Sequence, residues 1–547
     1  MTCSELAEGQ LFAYLDGGLD AANERSGVEG HLKHCPTCQQ EKAMLTKLMT
    51  GFRALSESTS LDPPTWERIG EQVSKRNPLA LRLAEAMADH DIKAATALIN
   101  QYLEVVSHFR AAGKDAPLFL SMLMQWIRIR GIAHSGIERG YSQLAFVESE
   151  IRQFPATLRQ TLPLIDCAHL RLVEGLLALY VERYDLAIPH FRFILSAEQD
   201  LPEQPVVATA TASLAHAHQR LGEYDEARRL VEDAISRANR IGRHRMAAYF
   251  SVTRAWLLSQ RRECTEQAIS VYHQAAETLR GTSDHRSLGN IEAGLARIAR
   301  RAGNYKEALR GGLASLDEFR QCDALHLNLA RSLVHIAFTK RLLALSSSKR
   351  STLDKSDPTR TDAESLRDEA FAHLEEACAI YERNERNYDG RGLGSVALTR
   401  SLIHLDLGDL MRSECEMRNA LRLGQDNNDA ILVVRSRILE CMIENEHHKR
   451  CSQSEASLHA SRAFEAIKEA IAGARNIQGD RFLAKSLIWH GLTLLIVCPA
   501  AVIEARRCYE QAAQLLDSHT NDYVRENLRE LEHRLQFAEA PEKAVTH

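Results

Sequence analysis

Three side chains near the start of this 547-residue chain have types and spacing suited to one chemistry: His31-x3-Cys35-x2-Cys38, within EGHLKHCPTCQQE. Positions i and i+4 of a helix share a face, so the His31 imidazole and the Cys35 thiolate can reach a common point. Pro36 can begin a new helix after Cys35, which leaves Cys38 in its first turn. Two thiolates and one imidazole suit tetrahedral Zn2+, and a closed structural site takes a fourth ligand. Cys3 is the leading candidate for that position, with His34 as a substitute. Four protein ligands leave no open coordination position, so a single Zn2+ is expected to fold the segment rather than do chemistry on a substrate.

The elements that must hold these ligands are short helices. Leu6, Leu11 and Leu15 supply apolar positions after Cys3, and Asp20 is placed to cap the helix leading to His31. Two short helices would then be clasped by the metal to a third, within residues 1–55. With AYLDG at Ala13 to Gly17 followed by H-x3-C-x2-C, this stretch resembles the zinc-binding anti-sigma domain of bacteria. Cys3, His31, Cys35 and Cys38 fill that family's four ligand positions. The resemblance implies a partner: a sigma factor of the extracytoplasmic-function type, whose polymerase-binding domains the segment would occlude.

That family commonly follows its zinc domain with a Pro-Pro-x-x-W-x-x-I helix, and residues 61–76 read LDPPTWERIGEQVSKR. Thr65 can cap the helix, and Trp66, Ile69 and Val73 form an apolar stripe at helical spacing. Residues 56–79 are accordingly read as a linker plus a partner-binding helix with Trp66 as its anchor. A connector helix packed on the first repeat is the plainer alternative.

Behind it the chain is all-α in composition: Pro is scarce, β-branched alternation is nearly absent, and Ala, Leu, Glu and Arg dominate. It also repeats itself. ERYDLAIPHF, GEYDEARRLV, GNYKEALRGG and GDLMRSECEM each set a turn before a small residue on a new helix. Those anchors are Ala187, Ala227, Ala268, Ala308, Ala370, Ser413, Ala463 and Ala505, with weaker candidates at Ala95 and Ala145, at a period near 41 broken by two insertions. Seven positions later stand Ala234, Ala275, Ser315, Ala377, Ala420, Ala470 and Ala512, with Ile194 the exception. Small residues two turns apart let neighbouring helices approach closely.

Gly222, Tyr224, Ala227 and Gly303, Tyr305, Ala308 resemble the tetratricopeptide repeat (TPR), and Trp489 falls where that motif places its early Trp. The period exceeds the common 34, as in long-helix TPR varieties. An α-solenoid of TPR-like helix pairs is expected over residues 80–537, with a flexible tail at 538–547. Such an array is a binding platform for a protein, a peptide or a small ligand. The polar insertion at 345–369 is expected to be a mobile loop open to proteases, and His447, His448, Cys451 and His459 in the second insertion raise a lesser metal reading.

Composition narrows the function. With 68 basic and 73 acidic residues interleaved, the net charge is −5, which gives no broad nucleic-acid-binding surface. No basic segment precedes an apolar run at the N-terminus, and the twelve Cys show no disulfide rhythm, so a reducing cytoplasm is expected. The uncharged run from Ser486 to Ile503 approaches membrane-spanning length but fits the repeat register, so no membrane is expected. There is no phosphate loop, no Gly-x-Ser-x-Gly elbow and no H-E-x-x-H helix, so the chain is not read as an enzyme. The leading expectation is a cytoplasmic anti-sigma factor or related transcription regulator with the repeats as its sensor. The alternative is a TPR scaffold whose zinc domain is purely structural.

Overall fold

The computed structural model describes residues 22–36, 39, 42–43 and, with short gaps, 164–544. Cys3, Cys38, the Trp66, Ile69 and Val73 stripe, and the early anchors Ala95 and Ala145 lie outside these residues. Among the described residues the regular elements are all helical. They are α1 (Ala22–His34), α2 (Leu164–Tyr180), α3 (Tyr184–Ser196), α4 (Pro205–Leu221), α5 (Tyr224–Arg240), α6 (His244–Leu258), α7 (Thr265–Leu279), α8 (His285–Arg301) and α9 (Tyr305–Arg320). Then follow α10 (Leu327–Ser351), α11 (Thr359–Arg383), α12 (Arg391–Asp406), α13 (Leu410–Asp426), α14 (Ala430–Arg450), α15 (Gln453–Asn476), α16 (Asp480–Val497), α17 (Val502–Leu515) and α18 (Tyr523–Ala544).

The chain divides into two compact units, the first comprising residues 1–213, 234–247 and 279–284, the second 214–233, 248–278 and 285–547. In the first, α2 and α3 form a hairpin so close that a Cβ on Gly175 would meet the Phe191 ring at 2.6 Å. In the second, helices pack on their sequence neighbours from α8 through α18, the nearest-neighbour pattern of a helical repeat array.

The small anchors explain that spacing. They fall on alternate helices, and each of Ala187, Ala227, Ala268, Ala308, Ala370, Ser413, Ala463 and Ala505 is at most 2% exposed. Their partners two turns on are buried as completely, Ile194 included. The two serines among them carry hydroxyls that burial would penalise unless bonded. Ser315 donates to the Gly289 carbonyl at 2.9 Å, and Ser413 and Ser401 each donate to the other's carbonyl at 2.9 and 2.6 Å.

The turns after α4, α8 and α12 are glycine-dependent. Gly222, Gly303 and Gly408 hold φ of 86°, 80° and 76°, and the next residue's N–H returns to a carbonyl five positions back, as in a Schellman helix end. The bonds are Glu223 to His218, Asn304 to Ala299 and Asp409 to His404.

Three expectations change. The insertion at 345–369 is not a long mobile loop: α10 runs to Ser351 and α11 starts at Thr359, so the insertion mostly lengthens one hairpin. Its Ser, Lys, Arg, Ala and Glu residues are tolerated on a solvated helix surface once the apolar hairpin has nucleated it. Ala363 is buried and Ser346 bonds back to the Leu342 carbonyl. The second insertion likewise extends α14 and α15. Finally, the helix expected to stop at 537 continues to Ala544.

The apolar run from Ser486 forms most of α16, whose Leu487, Ile488, Leu492, Leu494 and Leu495 are buried against neighbouring helices. No helix among the described residues is long and apolar enough to cross a membrane.

Candidate metal centre and inner face of the repeats

α1 begins two positions after Asp20 and ends at His34, and the Cys35 N–H donates to the His31 carbonyl at 3.1 Å. His31 and Cys35 are therefore one turn apart on a single face, as their spacing demands. Both side chains are half-buried, whereas His34 is exposed. Helical geometry breaks at Cys35 and resumes at Pro36. The Gln39 N–H then donates to the Cys35 carbonyl at 3.0 Å, and its side chain donates to the Leu32 carbonyl at 2.7 Å. This knuckle holds an imidazole and a thiol together, and Val28 and Leu32, neighbours of the pair at helical spacing, are buried beside them. The described pair thus fits zinc, and the exposed His34 is the poorer donor. Cys3 and Cys38 would complete the set, and a bound Zn2+ would supply a structural cross-link.

The second metal reading has other partners for its histidines. His459 Nδ1 lies 2.6 Å from Glu444, His448 Nδ1 lies 2.9 Å from the Ala456 carbonyl, and the His447 and His459 rings stack at 5.0 Å. Among the described residues no group of three candidate ligands is arranged to hold a metal.

Within the second unit the repeats bring distant helices face to face. The Phe338 ring on α10 meets the Tyr523 ring on α18 edge-on at 5.8 Å. A Cβ on Gly222, after α4, would sit 3.4 Å from Ile477, after α15. Cations line this inner face. The Arg300 and Arg341 guanidinium carbons stand 5.0 and 5.5 Å from the Phe338 centroid. Lys485 Nζ is 5.2 Å from the Tyr523 centroid, and Arg297 is 5.6 Å from that of Trp256.

These charges interact strongly. Burial, then Arg297, pushes Arg300 down to about 10; burial, then Arg481, Arg297 and Arg300, pushes Arg301 down to about 9. Burial also lowers Lys485 and Arg435. His335 is held well below its usual value by burial and by Arg300, Arg297 and Arg435, although its side chain remains solvent-accessible.

Sequence reasoning missed this face. The available signal was charge inside apolar runs, at Arg435 in ILVVRSRILECM and Lys485 in RFLAKSLIWHGL. A charge there has to face something other than the core.

Residues 3–39 match the family model described as "Putative zinc-finger". The chain carries a zinc-finger segment ahead of TPR-like helical repeats. Behind that zinc-finger segment, residues 193–311 match the model for soluble NSF attachment protein, and residues 365–447 and 454–494 match that for anaphase-promoting complex subunit 5. Among curated proteins none matches the sequence. Among solved structures, a Rap protein complexed with competence and sporulation factor is similar at 13% identity and a TM-score of 0.47, covering 72% of this chain and 99% of that one. A human IFIT1 dimer with m7Gppp-AAAA is similar at 14% identity and a TM-score of 0.43, covering 86% and 99%. Yeast Tom70 is similar at 12% identity and a TM-score of 0.34, covering 98% and 96%.

Proposed function

We propose that the protein is a cytoplasmic anti-sigma factor, or a closely related transcription regulator, that acts by binding and carries out no catalysis. The zinc-finger segment sequesters a sigma factor of the extracytoplasmic-function type, and Trp66, Ile69 and Val73 in the sequence that follows it add an apolar anchor. The observation that carries this reading is the family match over residues 3–39, together with His31 and Cys35 on one face of a helical knuckle.

The repeats take the place of a sensor. Helix pairs in such an array rest mainly on their neighbours, so occupancy of the inner face can change the curvature of the array and the presentation of whatever precedes it. Ligand or partner binding is the favoured release signal. Cleavage in the insertion loses much of its appeal because residues 345–351 and 359–369 are helical, and helical backbone resists proteolysis.

Affinity purification of the full-length protein from its source organism, with mass-spectrometric identification of the retained proteins, tests this. A sigma factor held by the wild type and lost on Trp66→Ala supports the proposal. A set of partners without any sigma factor supports a TPR scaffold with a purely structural zinc segment.

A further inference from the structure

The inner face of the second unit carries more positive charge than its own acids balance. Asp406 is committed to Arg341, with a hydrogen bond of 2.9 Å beside the ion pair. Asp522 pairs with Arg481 and also caps α18, accepting from the Val524 N–H at 3.0 Å. Asp429 caps α14, accepting from the Leu432 N–H at 3.0 Å. Arg301 is spent on the Ser259 and Gln260 oxygens. Among the described residues no carboxylate is bonded to Arg297, Arg300, Arg435 or Lys485, and Arg297 Nε is enclosed with no hydrogen-bond acceptor.

Guanidinium groups stay protonated in proteins, so such an arrangement is stressed until an anion enters. The drop of Arg300 to about 10 and Arg301 to about 9 follows from burial and from one another's charge. Retaining cations without carboxylate partners in this place is costly for folding, even with aromatic rings beside Arg297, Arg300 and Lys485 and a hydrogen bond from Lys485 to the Tyr523 hydroxyl, and a bound anion would offset the cost.

The spacing selects the kind of anion. Arg297, Arg300 and Arg301 lie within one turn of α8, where side chains three or four apart stand roughly 5–6 Å from each other. Lys485, on α16, reaches the same space, its Nζ 5.2 Å from the centroid of the Tyr523 ring that meets Phe338 beside Arg300, and the charge of Arg435, on α14, lowers both Lys485 and Tyr523. An extended acidic peptide offers one charge per same-face side chain, roughly 6.6 Å apart. A phosphate carries about −1.5 to −2 charges and three acceptor oxygens on a single centre. The paired N–H groups of a guanidinium match it two at a time.

We infer that the inner face of the repeats binds a compact polyphosphate group, held by Arg297, Arg300, Arg435 and Lys485. The sensing use of such a site rests on the anti-sigma reading; the site itself does not, because binding is read on the purified chain whatever the zinc-finger segment grips. Inorganic triphosphate and a nucleoside triphosphate share the chemistry and differ in what surrounds it.

The experiment is calorimetric titration of the full-length protein with inorganic tripolyphosphate and with ATP, with hexaglutamate as the peptide comparison. Saturable tripolyphosphate binding that weakens at least tenfold in Arg300→Gln, and is unchanged in the outer-surface variant Arg418→Gln, supports the inference. Tighter ATP binding then assigns a nucleotide, and equal binding assigns the bare polyphosphate group. Should Arg300→Gln fail to fold, Arg435→Gln takes its place. No binding by wild type at low salt, equal binding by the folded inner-face variant, or tighter binding of hexaglutamate overturns it.

Discussion

Phe338 on α10 and Tyr523 on α18 meet ring edge to ring face, 5.8 Å between centroids and 72° between planes. Two guanidinium groups and one ammonium surround this pair, which therefore couples closure of the repeat array to its inner cations. Phe338 is 8% exposed, so Phe338→Ala should destabilise the second unit by about 3–5 kcal/mol. Urea unfolding followed by circular dichroism checks this; a loss below about 1 kcal/mol would mean the contact contributes little.

Removing a stressed charge should have the opposite effect. Arg300→Gln is expected to raise the melting temperature of the ligand-free protein. The value of about 10 for Arg300 lies below the unfolded one, so its destabilisation is fully present below that pH and is relieved only above it. The gain should consequently be the same at pH 6 and pH 8, which differential scanning calorimetry can compare.

Two glycines should respond to alanine in opposite directions. A Cβ on Gly294 would collide with the buried Tyr272 ring, so Gly294→Ala should destabilise by about 1–3 kcal/mol. A Cβ on Gly30, inside α1, meets nothing within 4 Å, and Gly30→Ala should stabilise that helix by about 0.5–1 kcal/mol. Thermal unfolding of each variant separates the two cases.

Metal content tests the knuckle. About one zinc per chain is expected for a closed structural site. Cys35→Ser with Cys38→Ser should abolish it, while His34→Gln should retain it because that side chain is exposed. Inductively coupled plasma mass spectrometry of the purified proteins reads all three.

The repeat register was legible in the sequence because one physical requirement, close approach of helix pairs, acts on the same position every time. Ala227, Ala268, Ala308 and Ser413 could be aligned from spacing alone, and all are buried. His31 and Cys35 were legible for a similar reason, since i and i+4 fix a shared face. The hairpin of α10 and α11 was not: its insertion reads as a polar loop by composition, and its helicity comes from the apolar helices it extends. The inner cations were less visible still. On a single helix Arg300 looks like any solvated residue, and only the meeting of α8 with α10 sets it over the Phe338 ring, half-buried.

The central claim is that the zinc-finger segment grips a sigma factor. Direct binding between the purified full-length protein and the sigma factor recovered from its own organism, measured by calorimetry for wild type and for Cys35→Ser with Cys38→Ser, tests it most directly. The account predicts a one-to-one complex with wild type and none with the zinc-free variant. Recovery of no sigma factor, or equal binding by both proteins, would contradict it.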